Sequence, residues 1–326
     1  MRRKSVSYAK YGYIFCIPFV LAFLIFSLYP TIYTAVIGFT DFKGMGKTQF
    51  HFLKEPFDNF KLIINNPSFR ESLGNTFLIW IINFIPQILL ALLLTAWFTG
   101  HRNKVKGQGL FKVMFYMPNI ITAATIAILF SSLFGYPMGP VNDLFKTLGL
   151  SHTSINFLMQ KGTARGIVAF IQFWMWYGYT MIILISGVLG INPEIFEAAE
   201  MDGASSIQTF FSVTLPNVRT ILVYTLITSL IGGLQMFDIP KLFLIGGPDH
   251  ATLTTSLFIY NQAFSGSYMY NRASAASMMM FVIIAVLSSL VFYIMRDKSA
   301  AQFEKERKAY NKEQRLAVKA ARGKAE

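Results

Sequence analysis

The chain has 326 residues, 54% of them hydrophobic and only 14% charged, with a mean hydropathy of +0.47. A soluble domain carries about 25% charged residues, so an ordinary soluble globular protein is excluded. The net charge of +13 would suit nucleic acid if it coated one soluble surface. Here Lys and Arg collect instead at the N-terminus, in one internal loop and in the C-terminal tail, a distribution that reads as membrane topology.

Met1 to Lys10 is basic and Tyr11–Ile37 is mostly apolar. A secretory signal peptide has the same order of features. The run continues past Tyr29-Pro30 without an A-x-A-like cleavage site, which favours an uncleaved first span. It holds the single cysteine, Cys16, so neither an internal disulfide nor a Cys-based zinc site is expected. Gly44-Met45-Gly46-Lys47-Thr48 ends like a phosphate-binding P-loop, but Asp41 stands where the first glycine is required, and no strand precedes it. The rest of this loop contains an amphipathic piece, PFDNFKLIINNPSFRESLGNT, expected to lie along the outer membrane surface.

Five further stretches are long enough to cross the hydrocarbon core as helices. They run approximately Asn75–Phe98, Val113–Phe134, Gly166–Leu189, Pro216–Phe237 and Ala273–Met295. Six spans place both termini on one side. Arg2, Arg3 and Lys4 precede the first span, and Arg102, Lys104, Lys106 and Lys112 fill the loop after the second. Ten Lys or Arg follow between Arg296 and Lys324. The positive-inside rule assigns all of these to the cytoplasm. Residues 1–298 then form a transmembrane domain and residues 299–326 a basic cytoplasmic tail of alternating Lys, Arg and Glu, solvated as a helix or disordered. His51, His101, His152 and His250 are scattered over loops without metal-ligand spacing.

Between the fourth and fifth spans lies NPEIFEAAEMDGASSIQTFFSVTLPNV, Asn192 to Val218. Asn192 suits a helix N-cap and Pro193 the first helical position. Ile195, Ala198, Ala199 and Asp202 fall at i, i+3, i+4 and i+7, on one face. Gly203 supplies a left-handed helix end, Ser205 or Ser206 caps a second short helix, and Pro216 is expected to stop it. The spacing predicts a helix–turn–helix with a small Ala-Ala face that another protein can approach closely. An ordinary amphipathic hairpin between two spans is the plain alternative.

Glu197-Ala198-Ala199, then Gly203, then Val213-Thr214-Leu215-Pro216 resembles the EAA loop of permease subunits of binding-protein-dependent ABC importers. Val213 stands where Ile is more usual. A bare EAA triplet carries no information; its combination with the later Gly and Leu-Pro between two spans is specific. The likeness extends from about Tyr13 to Met295 and is greatest to the maltose-type, carbohydrate-importing branch, without a large external domain. It implies an all-α type I ABC importer permease in a bacterial plasma membrane. It also implies a second homologous permease chain, two cytoplasmic ATPase subunits binding ATP and Mg, an extracytoplasmic substrate-binding protein and a sugar substrate. Glu197, Ala198, Ala199, Asp202, Gly203, Leu215 and Pro216 would then form the ATPase-coupling loop. No cofactor, metal or nucleic acid is expected in this chain.

The centres of the six spans hold no Asp, Glu, Lys, Arg or His, so neither a proton relay nor an intramembrane hydrolase is supported. That argues against an ion-coupled secondary transporter, the main alternative class; a permease for a non-sugar solute stays open. Asn83, Gln87, Gln172, Thr225, Thr228, Ser229 and Gln235 do enter the spans, and interhelical hydrogen bonding accounts for any one of them alone. Gln172, Trp176 and Tyr179 share one face of the fourth span, and Thr225, Ser229 and Gly232 one face of the fifth. Trp and Tyr ordinarily mark membrane interfaces, so a mid-span pair calls for another role. Flat rings suit the C–H face of a sugar, and hydroxyl and amide groups suit its edge. With Gln235, these seven residues are the candidate substrate cavity.

Overall fold

The computed structural model describes residues 9–46, 49–100, 106–266 and 268–295, with residues 306, 307, 310, 311 and 314 beyond them. Arg2, Arg3, Lys4, Lys47, Thr48, Arg102, Lys104 and nearly all of the tail lie outside the described residues. Those described are almost entirely helical; a bridge between Thr40 and Phe52 is the one β-type pairing among them.

The first span consists of α1 (Ala9–Phe23), a π-helical turn at Leu24–Leu28, and α2 (Tyr29–Ile37). Next come α3 (Asp58–Ile64) and α4 (Pro67–Thr99). Asn66 caps α4, its Oδ1 accepting from the Ser68 and Phe69 amides at 2.9 and 3.3 Å, with Pro67 at the first position. The cap corrects one expectation. The second half of the amphipathic piece, from Ser68 onward, does not lie apart on the surface but is the first two turns of the span.

The third span is also different from expectation. Val113–Phe134 is not one helix but two, α5 (Gln108–Ile120) and α6 (Ala123–Leu133). Thr122 between them is extended, with ψ at 145°, and its side chain accepts from the Thr125 amide. That N-cap starts a new helix instead of continuing the old one. Taken together the pair is apolar and long enough to count as a sixth span beside five unbroken ones.

After α7 (Pro140–Thr147), α8 (Lys161–Leu189) forms the fourth span. The hairpin is α9 (Pro193–Met201), α10 (Ser206–Thr209), a π-helical turn at Phe210–Thr214, and α11 (Leu215–Asn217). It leads into α12 (Arg219–Leu234) and α13 (Asp238–Phe243), then α14 (Thr255–Phe264) and α15 (Tyr270–Met295).

The chain divides into two compact bodies. One comprises residues 1–86, 119–175 and 232–285, the other 87–118, 176–231 and 286–326. The first has two apolar cores. Ile79, Ile126, Val168, Ile171 and Ile239 centre one, and Ile63, Leu257, Phe258 and Ala276 centre the other. Buried polar contacts tie its loops down: Asn75 Nδ2 donates to the His250 and Leu253 carbonyls at 2.6 and 3.2 Å. In the second body Gln87 donates to Thr180 Oγ1 at 2.8 Å, a buried bond from α4 to α8. The first span stands apart, with no part of its most apolar window buried among the described residues.

Candidate functional site

The hairpin belongs wholly to the second body. Asn192 Oδ1 accepts from the Glu194 amide at 3.2 Å and starts α9. At the other end Gly203 takes a φ of +75°. Its amide donates to the Glu200 carbonyl and the Ala204 amide to the Ala199 carbonyl, both at 3.0 Å. These two bonds make a Schellman turn, the helix ending that requires a left-handed residue. Ser205 and Gln208 then cap α10 reciprocally, Ser205 N to Gln208 Oε1 at 2.8 Å and Gln208 N to Ser205 Oγ at 3.3 Å.

Pro216 does not stop the second helix. The turn before it widens, and the Leu215 amide donates to the Phe210 carbonyl five residues back. A proline ring clashes with the carbonyl four residues earlier in an α-helix. One extra residue in the turn moves that carbonyl aside, so the helical path continues through Pro216 into α12. The π turn at Leu24–Leu28 stands in the same relation to Pro30.

Phe196 fastens the hairpin. It is buried against Val188 and Val218, with Ile191, Val213 and Leu222 around it. Of the predicted loop residues, Glu197, Ala198, Asp202, Gly203 and Pro216 are exposed, while Ala199 and Leu215 are half-buried. The outermost apolar side chains are Met201, 88% exposed, and Ile207. Beside the hairpin lies a cavity of about 690 Å³, walled by Leu92, Ala96 and Trp97 of α4 and by Phe196, Glu200 and Phe210. Where the chain leaves the hairpin, Arg219 Nε donates to the Met295 carbonyl at 3.0 Å, at the end of α15.

Residues 65–303 match the family described as "Binding-protein-dependent transport system inner membrane component". The chain belongs to that family, the permease subunits of ABC importers. The permease is 32% identical over 290 residues to the lactose transport system permease protein of Rhizobium radiobacter, covering 88% of this chain and 94% of the relative. It is 30% identical over 295 residues to the multiple sugar-binding transport system permease protein of Streptococcus mutans, covering 89% and 97%. Its fold is that of a bacterial ABC transporter importing the acidic polysaccharide alginate, with a TM-score of 0.73, 23% identity, and 87% and 94% of the two chains covered. The alginate transporter solved in complex with an alginate pentasaccharide-bound periplasmic protein gives a TM-score of 0.71 at 25% identity, covering 87% and 93%. Relatives of this kind are transport subunits, and the permease is a multi-pass membrane protein rather than an enzyme.

The predicted cavity residues of the permease fall in both bodies. In the second, Trp176 is 43% exposed and meets Tyr179 edge-on, their ring centroids 5.7 Å apart and their planes at 88°. Ser229 is half-buried. Thr225 is buried, and its hydroxyl donates to the Ile221 carbonyl at 2.8 Å. Thr228 likewise bonds back to Tyr224 at 2.9 Å. In the first body Gln172 is half-buried, Gln235 and Gly232 are exposed, and a Cβ on Gly232 would meet nothing within 4 Å. Asn83 donates to Ile79 of its own helix at 3.0 Å. Of the polar residues named in the spans, Gln87 is therefore the one shown joining two helices.

Two glycines with tight surroundings carry no motif and escape sequence reasoning. A Cβ on Gly178 would run into the Phe115 carbonyl and lie 2.9 Å from the Tyr116 Cα, so α8 and α5 touch backbone to backbone there. A Cβ on Gly233 would fall on the Trp80 indole, 2.6 Å from its Nε1. Small residues at crossing points of membrane helices are the available signal, and it is a weak one without a partner helix to name.

Proposed function

We propose that this permease carries a sugar or short oligosaccharide across the bacterial plasma membrane by alternating access, driven by a separate ATPase docked on the Glu197–Pro216 hairpin. The carrying observation is the hairpin itself. It is capped at each helix start, closed by a left-handed glycine, fastened through Phe196, and left open to the surroundings along Glu197, Ala198 and Asp202. A surface loop with no partner gains nothing from such construction. The names of the relatives support a sugar cargo, since they include permeases for lactose and for arabinooligosaccharides.

In this reading ATP and Mg bind to the partner ATPase, two copies of which complete the complex with a second permease chain and an extracytoplasmic binding protein. The apolar first span, uncovered along its length, suits contact with lipid and with that second permease chain. Residues 1–298 are the transmembrane domain and residues 299–326 a basic cytoplasmic tail, both termini being cytoplasmic by the positive-inside rule. Gln172, Trp176, Tyr179, Thr225, Ser229, Gly232 and Gln235 mark the translocation path, with the Trp176–Tyr179 pair as its flat sugar-facing element.

Affinity purification of the tagged chain tests the assembly, and the ATPase activity of the purified complex tests the cargo. An ATPase subunit is expected to co-purify, and sugar-loaded binding protein is expected to raise ATP turnover. Purification without any ATPase would overturn the importer reading; stimulation by amino acids or peptides but not by sugars would overturn the cargo.

A further inference from the structure

The loop after the first span and the segment from α12 to α15 contribute an unbroken row of aromatic rings, all within the first body. Tyr260 and Phe264 lie four apart on one face of α14, with centroids 5.4 Å apart. Phe264 leads to Tyr270 at 6.2 Å, and Tyr270 to Phe42 at 5.6 Å. Phe50 follows Phe42 at 6.0 Å, and Phe52 follows Phe50 at 6.4 Å. At the opposite end Phe237 is 5.1 Å from Tyr260, and the Lys241 ammonium sits 4.6 Å over the Tyr260 ring.

Two features separate this row from ordinary packing. None of its rings is buried; Phe52 is 68% exposed and Phe264 58%. Aromatic rings that serve a core lose their surface, whereas these touch one another and keep part of it open. The row is also held rigidly from behind. Asn59 Nδ2 donates to the Gly38 and Thr40 carbonyls, each at 2.9 Å, and Asn271 Nδ2 donates to Asn59 Oδ1 at 3.0 Å. The Gly44 amide bonds the Tyr268 carbonyl at 2.9 Å, and the Asn271 amide bonds the Phe42 carbonyl at 3.1 Å. Both asparagines are buried. A membrane-interface belt needs rings anchored at separate helix ends, not loops pinned together by buried amides.

We propose that this row is an oligosaccharide-binding track that feeds the translocation path; the inference rests on the sugar cargo proposed above. Flat faces stack on the C–H faces of successive sugar units, and the tyrosine hydroxyls reach their edges. The Lys241 end lies on the segment just after Gln235, so cargo moves along the row toward the helix that carries the candidate cavity. Lys241 makes no ion pair among the described residues, and there it holds a hydroxyl or a carboxylate of the leading unit.

The test is uptake by proteoliposomes containing the full importer and its binding protein, with malto-, cello- and xylo-oligosaccharides of two to six units. The double variant Phe264→Leu/Tyr270→Leu keeps apolar bulk and removes two flat faces. The apparent KM for the longest transported oligosaccharide is expected to rise about tenfold, by the usual worth of ring stacking. Disaccharide uptake and stimulation of ATP hydrolysis by the binding protein stay unchanged. Phe52→Leu, at an exposed ring that cannot unfold the loop, is expected to raise the same KM about threefold. Equal KM at every chain length overturns the track. Equal loss at every length, with loss of binding-protein stimulation, also overturns it and makes the row a docking surface. A wild-type importer that moves disaccharides alone removes the track but leaves the sugar reading standing. One that moves no sugar while its ATPase responds to the binding protein removes both.

Discussion

Gly203 shows how far a single residue can be read in advance. The Asp-Gly pair after a short amphipathic run predicts a left-handed helix end, and φ is +75° there. No neighbour lies within 4 Å of a Cβ built on it, so a substitution acts through the backbone alone. Gly203→Val is expected to destabilise the turn by about 1–2 kcal/mol and to abolish substrate-stimulated ATPase activity in an intact complex. Gly203→Asn, which tolerates the left-handed region, should keep most of that activity. Equal turnover in the two variants would remove the turn from the coupling path. Trp176 and Tyr179 were legible in the same way, as aromatic residues at mid-span. Phe196 was not, because a buried Phe inside an exposed loop differs from its neighbours only once the packing partners Val188 and Val218 are known. Trp176→Ala is expected to raise the apparent KM for uptake roughly tenfold, as loss of one stacking face and its buried area would. Basal ATPase activity should stay as in the wild type, and unchanged transport kinetics would take Trp176 out of the path.

At the scale of elements, hydropathy located every span, and local chemistry decided where helices start and break. The signals that were present but misread are side-chain caps. Asn66 before Pro67 starts α4 two turns ahead of its apolar stretch, and Thr122 divides the third span inside a run of continuous hydropathy. Close helix contact is harder to read, since its determinant is a neighbour far away in sequence. Gly178 and Gly166 make the point within one helix. At Gly178 a side chain meets the Phe115 backbone, at Gly166 it meets nothing within 4 Å. Gly178→Ala is expected to cost about 1–3 kcal/mol through overpacking, whereas Gly166→Ala gains up to about 1 kcal/mol of helix propensity. Thermal unfolding of the purified protein in detergent checks both, and opposite shifts in Tm are the expected result.

For the whole molecule, the distribution of Lys and Arg carries the orientation, and cysteine labelling can test it directly. In a Cys16→Ser background, Glu200→Cys is expected to react with a membrane-impermeant maleimide only after the cells are opened. Ser265→Cys, exposed at the end of α14, should react in intact cells. The reverse pattern would invert the topology and place the hairpin outside, where no ATPase could reach it. The division of the chain into two bodies was not legible at all. It cuts α4 after Pro86, α8 after Met175 and α12 after Ile231, through the interior of apolar runs where composition does not change.

The widened turn at Phe210–Thr214 sets the rotational phase of everything that follows it. An α-helix advances each residue by about 100° around its axis, so one residue more or less in the turn spins α12 by that angle relative to the hairpin. Deleting Ser212 would keep the Leu215-Pro216 pair, the caps and the hydropathy of the span. It would nevertheless carry Ser229 from its present face toward a neighbouring one. Such a deletion is expected to leave a complex that assembles and hydrolyses ATP yet moves no substrate, while Ser212→Ala behaves as wild type. Loop and membrane helix are geared through that turn, and the gearing resides in a residue count that no individual side chain reveals.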